Sequence, residues 1–504
     1  MIHRSSGVLL HISSLPGDYG IGSFGQEAVE FARQLHGCGF SFWQTLPFTT
    51  TDQYNSPYTS YSAFAGNPFF IDLPSLGRQG LLTDEELAAN RYPTPYAVDY
   101  GWLRKTRDKT LRRAFTRMGP GLKEQVEAFA AENDFWLPDY ALFIALKGKY
   151  DEKAWMDWPD KEIRMHEPAA VEAARAELAD EVLYQEFVQY LFFSQWKAVK
   201  KEINETGIQM IGDMPIYVAQ DSADVWSNRQ MFELDKSGRA RQVSGCPPDY
   251  FAADGQLWGQ PIYNWDYMKE TGYDWWMNRL GFALRTYDMV RIDHFRAFSS
   301  YWSIPGDAVT AKEGRWVKGA GLDFFNRVWT IFGRDVPIIA EDLGEIDDGV
   351  IQLIADTGLP GMRVMQFAFI DGYDNIHLPH NIPRNSIAYT GTHDNDTTLG
   401  WLYATSPENR ARALRYCGFT GENWSEGGVK APAVRAMIRT LWQCPAMLAV
   451  APIQDLCGFG TDCKMNQPGV PGGNWAFRVT EEALRGLDSG WLLELNRTYF
   501  RSSI

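Results

Sequence analysis

The stretch YDMVRIDHFRAF, residues 287–298, places an arginine and an aspartate two positions apart in an otherwise apolar run. Side chains alternate between the two faces of a strand, so Arg291 and Asp293 share one face while Val290 and Ile292 share the other. One face of the predicted strand is therefore apolar. The other directs a cation and a carboxylate toward what looks like the core of the fold.

Other segments of the chain have the same character, a short β-rich run that ends in polar residues, glycine or proline. Together with the first one they make eight, at 7–17, 40–48, 208–218, 288–295, 336–344, 361–369, 386–395 and 446–456. Helical patterns, with apolar residues three and four positions apart, separate most of them. Eight strands that alternate with helices predict an α/β fold, a (β/α)8 barrel.

Two gaps between the predicted strands are longer than a βα unit needs. Residues 49–207 follow the second strand, and residues 219–287 follow the third. Connections of such length usually carry function or form subdomains. We therefore predict a single catalytic barrel domain over residues 1–504, in which both insertions form subdomains and lid loops around the mouth of the barrel.

The composition narrows the class of protein. Apolar residues make up 45% and charged residues 22% of the chain, as in soluble globular proteins. A net charge of −15 argues against nucleic acid and anionic membranes as partners. We find no signal peptide and no 18-residue apolar run. The scattered cysteines favour reduced thiols in a cytoplasmic protein, with a plastid form that has lost its transit peptide as the alternative.

In a (β/α)8 barrel, catalytic groups lie at the C-terminal ends of the strands. Four predicted strands end in acidic residues, two of them with a cation alongside: Asp213, then Arg291 with Asp293, then Glu341 with Asp342, then His393 with Asp394. Carboxylates gathered at one mouth are costly, because like charges raise one another's pKa values. The sequence therefore predicts that these residues do chemistry or bind a metal.

Two interpretations of the cluster do not involve catalysis by carboxylates. In the first, Arg291 forms a buried ion pair with Asp293 or Asp213, which explains one strand end but not four. In the second, the cluster binds a metal. The nearby imidazoles are His294 and His393, and His294 should face away from the carboxylates, so a histidine-rich site is disfavoured.

The third interpretation is glycoside chemistry. A retaining enzyme needs one carboxylate as nucleophile and one carboxyl as acid/base, roughly 5–5.5 Å apart. Asp293 and Glu341, at the ends of adjacent predicted strands, suit that requirement.

Short segments of the chain resemble the conserved blocks of the α-amylase superfamily: RIDHFRAF (291–298), AEDLG (340–344) and GTHDNDT (391–397). More closely, the chain resembles the 4-α-glucanotransferases of glycoside hydrolase family 77, called amylomaltases or disproportionating enzymes. This resemblance extends over nearly the whole chain. It is also carried by GVLLHISSLPGDYGIGSFG (7–25), SPYTSYSAFAGNPFFIDL (56–73), GDMPIYV (212–218), PPDYFAADGQLWGQPIYNW (247–265) and MNQPGVPGGNWAFR (465–478).

The resemblance implies the barrel fold, retaining transfer of α-1,4-glucan segments through a covalent glycosyl-enzyme, and neither metal nor cofactor. Asp293 matches the nucleophile and Glu341 the acid/base. Asp394 matches the aspartate that holds the sugar 2- and 3-hydroxyls and stabilises the transition state. The implied substrate-binding residues are Arg291 beside the nucleophile, His393 at the subsite before the cut, Asp213 at the third strand, and the aromatic residues Tyr54 and Trp258 around the cleft.

The implied reaction requires Asp293 and Glu341 to start in opposite protonation states. A neighbouring guanidinium, from Arg291, favours the ionised form of Asp293, whereas Glu341 must start protonated to donate to the leaving oxygen. The implied donors are maltooligosaccharides or starch- and glycogen-like glucans, and the acceptors are glucose, maltose or longer chains. A hydrolytic enzyme of the same superfamily is a near alternative. A non-catalytic glucan-binding barrel is disfavoured by the presence of all three carboxylates.

Two loops are expected to bring aromatic rings to the substrate. The segment TTTDQYNSPYTSYSAFAGNP follows the second strand at the barrel mouth, which favours substrate contact for Tyr54 and Tyr58. Gly255 and Gly259 flank Trp258, a pattern that predicts a mobile lid with an aromatic tip. Gln260 and Ala297 stand where the family commonly has Asn and Gly, and these departures leave acceptor preference open.

Overall fold

The computed structural model describes residues 3–248, 253–370, 372–470, 472–502 and 504. Its strands are β1 (Ser5–Leu9), β2 (Phe42–Gln44), β3 (Gln209–Pro215), β4 (Gln242–Cys246), β5 (Gln256–Pro261), β6 (Met289–Asp293), β7 (Ser300–Pro305), β8 (Arg315–Lys318), β9 (Ile338–Ala340), β10 (Gly361–Val364), β11 (Ser386–Tyr389) and β12 (Leu448–Pro452).

The α-helices are α1 (Gln26–Gly37), α2 (Leu73–Arg78), α3 (Asp84–Ala89), α4 (Tyr100–Thr116), α5 (Pro120–Glu132), α6 (Leu137–Lys149), α7 (Lys161–Arg164), α8 (Pro168–Glu177), α9 (Ala179–Glu205), α10 (Ala223–Ser227), α11 (Trp265–Glu270), α12 (Asp274–Thr286), α13 (Gly321–Phe332), α14 (Asp348–Thr357), α15 (Thr398–Ala404), α16 (Pro407–Tyr416), α17 (Pro432–Gln443), α18 (Ile453–Cys457), α19 (Glu481–Arg485) and α20 (Ser489–Thr498). Short 3-10 helices are Ile12–Ser14, Pro68–Phe70, Trp155–Asp157, Arg229–Met231, Phe295–Phe298, Ala311–Glu313, Met365–Phe367 and Thr461–Cys463.

Eight strands form one parallel sheet in the order β10–β11–β12–β1–β2–β3–β6–β9. The two end strands of this order meet where Ala340 N donates a hydrogen bond of 2.9 Å to Pro360 O, so the sheet curls into a nearly closed barrel. Each of the eight segments predicted from the sequence overlaps one of these strands. The prediction of a (β/α)8 barrel is confirmed.

The barrel strands are apolar because they are covered on both faces. Helices pack outside and side chains fill the interior, so a parallel strand becomes a near-continuous apolar run. β9 and β12 are buried at every position. Against this background two charged residues stand out as direct register partners, Asp213 on β3 and Arg291 on β6.

A second sheet is antiparallel and has the order β5–β4–β7–β8. β4 and β5 follow the third barrel strand, whereas β7 and β8 follow the fourth, so two connections build this sheet together. The second of these connections was not expected from the sequence. β8, with the sequence RWVK, is short, largely exposed and without an apolar run, so no strand pattern in the sequence marks it.

Helices α2 to α9 lie between the second and third barrel strands. The longest of them, α9, has 27 residues and packs against β3 and against α1, α5 and α6. Within the described ranges, none of the helices is both long enough and apolar enough to cross a membrane.

Candidate active site

The charged residues at the ends of β3 and β6 form one connected network. Arg291 Nη1 lies 2.7 Å from both carboxylate oxygens of Asp213, and Nη2 lies 2.8 Å from Asp293 Oδ1. The side chains of Arg291 and Asp213 are buried, whereas that of Asp293 is 29% exposed. Arg291 therefore pairs with both aspartates that the sequence left as alternatives, and Asp293 is the more accessible of the two.

Glu341 lies directly after β9 and beside Asp293. Its main-chain N donates to Ile292 O at 3.1 Å, which ties it to β6. Its carboxyl accepts two backbone hydrogen bonds, from His294 N to Oε2 at 2.7 Å and from Leu343 N to Oε1 at 2.8 Å. These contacts fix the position of the second carboxyl relative to the first.

The two carboxyls differ in their affinity for a proton. Burial raises the pKa of Glu341 to about 8, with Arg291 acting against the rise and the charge of Asp293 adding to it. Burial also raises the pKa of Asp293, and again Arg291 opposes the rise. Asp293 is bonded directly to the guanidinium, while Glu341 is bonded to neutral N–H groups. The guanidinium thus favours the ionised form of Asp293, whereas burial favours the protonated form of Glu341.

The second acidic residue at the end of β9 has a different function. Asp342 Oδ1 accepts from Met362 N at 2.6 Å, and Oδ2 accepts from Arg363 Nη1 at 2.8 Å. These bonds attach the end of β9 to β10, where the barrel closes. Asp342 is thus a structural residue, although the sequence grouped it with the other carboxylates.

Asp394 and His393 follow β11 and belong to the same pocket. Asp394 Oδ1 accepts from Asn466 Nδ2 at 2.7 Å, and its Oδ2 lies 3.4 Å from His393 Nε2. The carboxylate is 45% exposed, and its charge contributes to the raised pKa of Asp293. An anchored but accessible carboxylate near Asp293 is suited to hold hydroxyl groups of a ligand.

Aromatic rings form one wall of the pocket. The Tyr58 hydroxyl donates to Asp213 Oδ2 at 2.6 Å, and the Tyr58 ring is stacked on His393, with 5.2 Å between centroids. Trp475 lies against both rings. Sequence reasoning missed Trp475 and Asn466 as site residues. The available signal was their shared segment MNQPGVPGGNWAFR, which carried part of the family resemblance.

Trp258 contacts the residue that follows Asp293. Its ring lies edge-on against His294, with 4.7 Å between centroids, and its Nε1 donates to Gln256 Oε1 at 3.1 Å. It lies within β5, an edge strand of the antiparallel sheet. Residues 249–252 of the same segment lie outside the described residues.

Tyr54 lies on a surface loop that follows β2. The residue is 51% exposed, and its N donates to Asp52 Oδ1 at 2.8 Å. Arg104 Nη2 binds the carbonyl oxygens of Asp52 and Gln53 in this loop. Contacts link seven of the eight residues singled out from the sequence, Trp258 through His294, while Tyr54 is bonded to Asp52 in its own loop.

The central cation of the pocket is Arg291. Across the part of the chain that the structure describes, no group of three or more His, Cys, Asp and Glu side chains is arranged to hold a metal ion. Burial lowers the pKa of His294 to about 3, so this ring is neutral. The positive charge next to Asp293 and Asp213 comes from the guanidinium.

Comparisons with known proteins agree with this geometry. A family model described as 4-alpha-glucanotransferase matches residues 10–484. A 4-alpha-glucanotransferase of Thermus thermophilus is 44% identical over 478 residues, covering 94% of this chain and 95% of the relative. One of Streptococcus pneumoniae is 44% identical over 503 residues, covering 99% and 98%.

Solved structures give the same result. An amylomaltase from Streptococcus agalactiae, in complex with acarbose, is 40% identical, with a TM-score of 0.95 over 99% of this chain and 100% of that one. An amylomaltase from Corynebacterium glutamicum shares the fold at 19% identity, with a TM-score of 0.80 over 99% and 75%. The resemblance seen in the sequence is confirmed, and this chain belongs to the 4-α-glucanotransferase family, glycoside hydrolase family 77.

Proposed function

We propose that the pocket at the end of β6 and β9 carries out the reaction of this family, with Asp293 as nucleophile, Glu341 as acid/base and Asp394 as transition-state stabiliser. The chain is an enzyme that transfers α-1,4-glucan segments through a glycosyl-enzyme, as its family does. The observation that supports these roles best is the pair of carboxyls at the ends of two paired strands, with Asp293 bonded to a guanidinium and Glu341 bonded to backbone N–H groups.

In the first half-reaction, a carboxylate oxygen of Asp293 bonds to the anomeric carbon of the donor while the glycosidic C1–O bond breaks. Glu341 gives its proton to the leaving oxygen, which becomes the free 4-hydroxyl of the departing glucan. Arg291 holds Oδ1 of the nucleophile, so we assign the attack to Oδ2. The product is a β-linked ester between the donor and Asp293.

In the second half-reaction, the 4-hydroxyl of an acceptor attacks the same carbon. Glu341, now ionised, takes the hydroxyl proton, and the ester bond breaks to release the Asp293 carboxylate. Two inversions at one carbon restore the α configuration. We expect glucose, maltose and longer maltooligosaccharides to act as acceptors, and maltooligosaccharides or starch- and glycogen-like glucans as donors.

Asp394 is proposed to bind the 2- and 3-hydroxyls of the sugar at the cut. The bond from Asn466 engages Oδ1, and the side chain remains 45% exposed. Hydrogen bonds to these hydroxyls strengthen as the ring becomes oxocarbenium-like, and such differential binding is what accelerates a reaction. His393, held by its stacking on Tyr58, is proposed to bind the same sugar.

Acceptor choice is proposed to depend on the aromatic side of the pocket. The partly buried Trp258 ring beside His294 offers an apolar face to a sugar next to the nucleophile. The insertions after the second and third barrel strands are proposed to wall the pocket and to limit access of water. One relative was solved in complex with acarbose, and we expect this pocket to bind the same ligand.

The activity is tested by incubating the purified protein with maltotriose alone. Transfer produces glucose and a ladder of longer maltooligosaccharides, while the number of reducing ends stays nearly constant. A rise in reducing ends in step with glucose release would identify a hydrolase instead, which is the second candidate function because both activities share the glycosyl-enzyme.

A further inference from the structure

Arg296 is a buried cation that the mechanism above does not use. It is 3% exposed and lies on the nucleophile segment, residues 294–300. Its guanidinium reaches across to the acid/base loop, residues 342–347. There Nη1 donates to Glu345 O, and Nη2 donates to Asp347 Oδ2 at 3.1 Å. One buried side chain thus joins two segments that follow neighbouring barrel strands.

These same two segments hold the carboxyl of Glu341. His294, on the nucleophile segment, donates its backbone N–H to Oε2, and Leu343, on the acid/base loop, donates its backbone N–H to Oε1. Each oxygen is therefore attached to one of the two segments. A small shift of one segment against the other would stretch one of these bonds and rotate the carboxyl.

The antiparallel sheet supports Arg296 from the outside. Its guanidinium carbon lies 3.9 Å from the centroid of the Trp316 ring on β8. The same sheet carries Trp258, whose ring lies against His294. The nucleophile segment is therefore clamped between this sheet and the acid/base loop, with the guanidinium as the shared contact.

We propose that Arg296 is a positioning residue for Glu341, which it holds in the orientation needed to protonate the leaving oxygen. The nucleophile is positioned separately, by Arg291 and by the strand pairing of β6. Loss of Arg296 should therefore impair proton donation much more than nucleophilic attack. This inference rests on the assignment of Glu341 as acid/base in the proposed function.

The test compares two donors in the variant Arg296→Gln. Maltotriose needs a proton on its leaving oxygen, whereas α-maltosyl fluoride expels fluoride without one. We expect kcat on maltotriose to fall about 10²-fold with KM changed by less than about threefold, the scale of a misplaced catalytic group. The first-turnover release of fluoride should change by less than about threefold.

Two further variants keep the test independent of misfolding. Asp347→Asn weakens the ion pair but keeps an oxygen that can cap α14 through Val350 N, and it should reduce kcat on maltotriose about fivefold with fluoride release unchanged. The matched control is Arg107→Gln, which removes another buried arginine bonded to carbonyl oxygens, those of Phe69 and Ile71. It should lower Tm, but it should not slow turnover of maltotriose more than fluoride release from α-maltosyl fluoride.

A parallel measurement on Glu341→Gln distinguishes the role of Arg296 from that of the acid/base itself. Suppose that Glu341→Gln slows turnover of maltotriose much more than fluoride release. If Arg296→Gln then slows both reactions equally, or neither, the role of Arg296 is overturned and that of Glu341 stands. If Glu341→Gln itself lowers both rates equally, the assignment of the acid/base fails. A larger loss of rate on maltotriose than of fluoride release, in both variants, supports the inference.

Discussion

The ends of the barrel strands and the inserted segments above them carry different kinds of side chain. Arg291 on β6 forms an ion pair of 2.7 Å with Asp213 on the paired strand β3 and one of 2.8 Å with Asp293 on its own strand. Trp258 and Tyr54 lie on inserted segments, with the first ring partly buried and the second half exposed. These three charged residues thus lie on barrel strands, whereas these two rings lie on the inserted segments.

The difference has a physical basis. A buried charge is tolerated only when its partners are held in place, and strand register supplies that rigidity. A ring that binds the apolar face of a sugar must instead stay accessible. We therefore assign bond breaking to the barrel and the choice between sugar and water to the insertions. Substitutions in the two regions should separate these two functions, with the largest effects in the barrel.

Asp293→Ala should lower kcat on maltotriose by at least about 10⁴-fold, because removal of the nucleophile closes the covalent route. The side chain is partly exposed and Arg291 keeps Asp213 as a partner, so the thermal unfolding curve should remain cooperative. Product analysis and circular dichroism on the same sample check both points. Activity near that of the wild type would remove Asp293 from the mechanism.

The pH dependence should depend on the donor. Glu341 has a pKa of about 8 and is proposed to act as the acid below it, so kcat/KM for maltotriose should fall about tenfold per pH unit above that value. First-turnover fluoride release from α-maltosyl fluoride should show no such fall. The raised pKa also means that the stabilisation from protonated Glu341 is lost as pH rises through about 8. An identical fall in rate above that pH for both donors would contradict the assignment of Glu341 as the acid.

Trp258→Ala should reduce the ratio of transfer to hydrolysis about tenfold, equivalent to about 1.4 kcal/mol of lost acceptor binding. The total rate of donor cleavage should change less, because the carboxyls are untouched. Trp258→Phe keeps a ring at the same place and should retain most of the ratio. Reducing-end release and glucose release, measured together, give the ratio. An equal loss of transfer and hydrolysis would show that Trp258 contributes to donor cleavage and not to acceptor binding.

Tyr54→Ala should have the smallest effect, about two- to threefold on KM for long glucan donors, since stacking at an exposed ring contributes little. The matched control is Tyr54→Phe. An effect on maltotriose as large as that of Trp258→Ala would show that this loop closes onto the pocket.

The barrel and its charged strand ends were predictable from the sequence. Strands buried on both faces are nearly continuous apolar runs, so Asp213, Arg291 and Asp293 stand out within them. The carboxyl ends of parallel strands meet at one mouth, so residues from distant segments could be grouped from the strand pattern alone.

Features that depend on tertiary contact were not predictable. Trp258 lies in a short, half-exposed antiparallel strand that follows Gly255 and contains Gly259, a pattern that also fits a loop. Asn466 binds Asp394 across 72 positions, and Arg296 binds Asp347 across 51. Such pairs have no local periodicity. The assignment of Asp342 to the strand junction likewise depends on where β10 lies.

The central claim is that Asp293 forms the covalent bond and Glu341 transfers the proton. The most direct test is to react Glu341→Gln with α-maltosyl fluoride, quench the mixture and map the modified peptide by mass spectrometry. Loss of the base slows the second half-reaction, so the glycosyl-enzyme should accumulate. The account predicts a maltosyl adduct on Asp293. An adduct on Asp394, Asp213 or any other residue would contradict it.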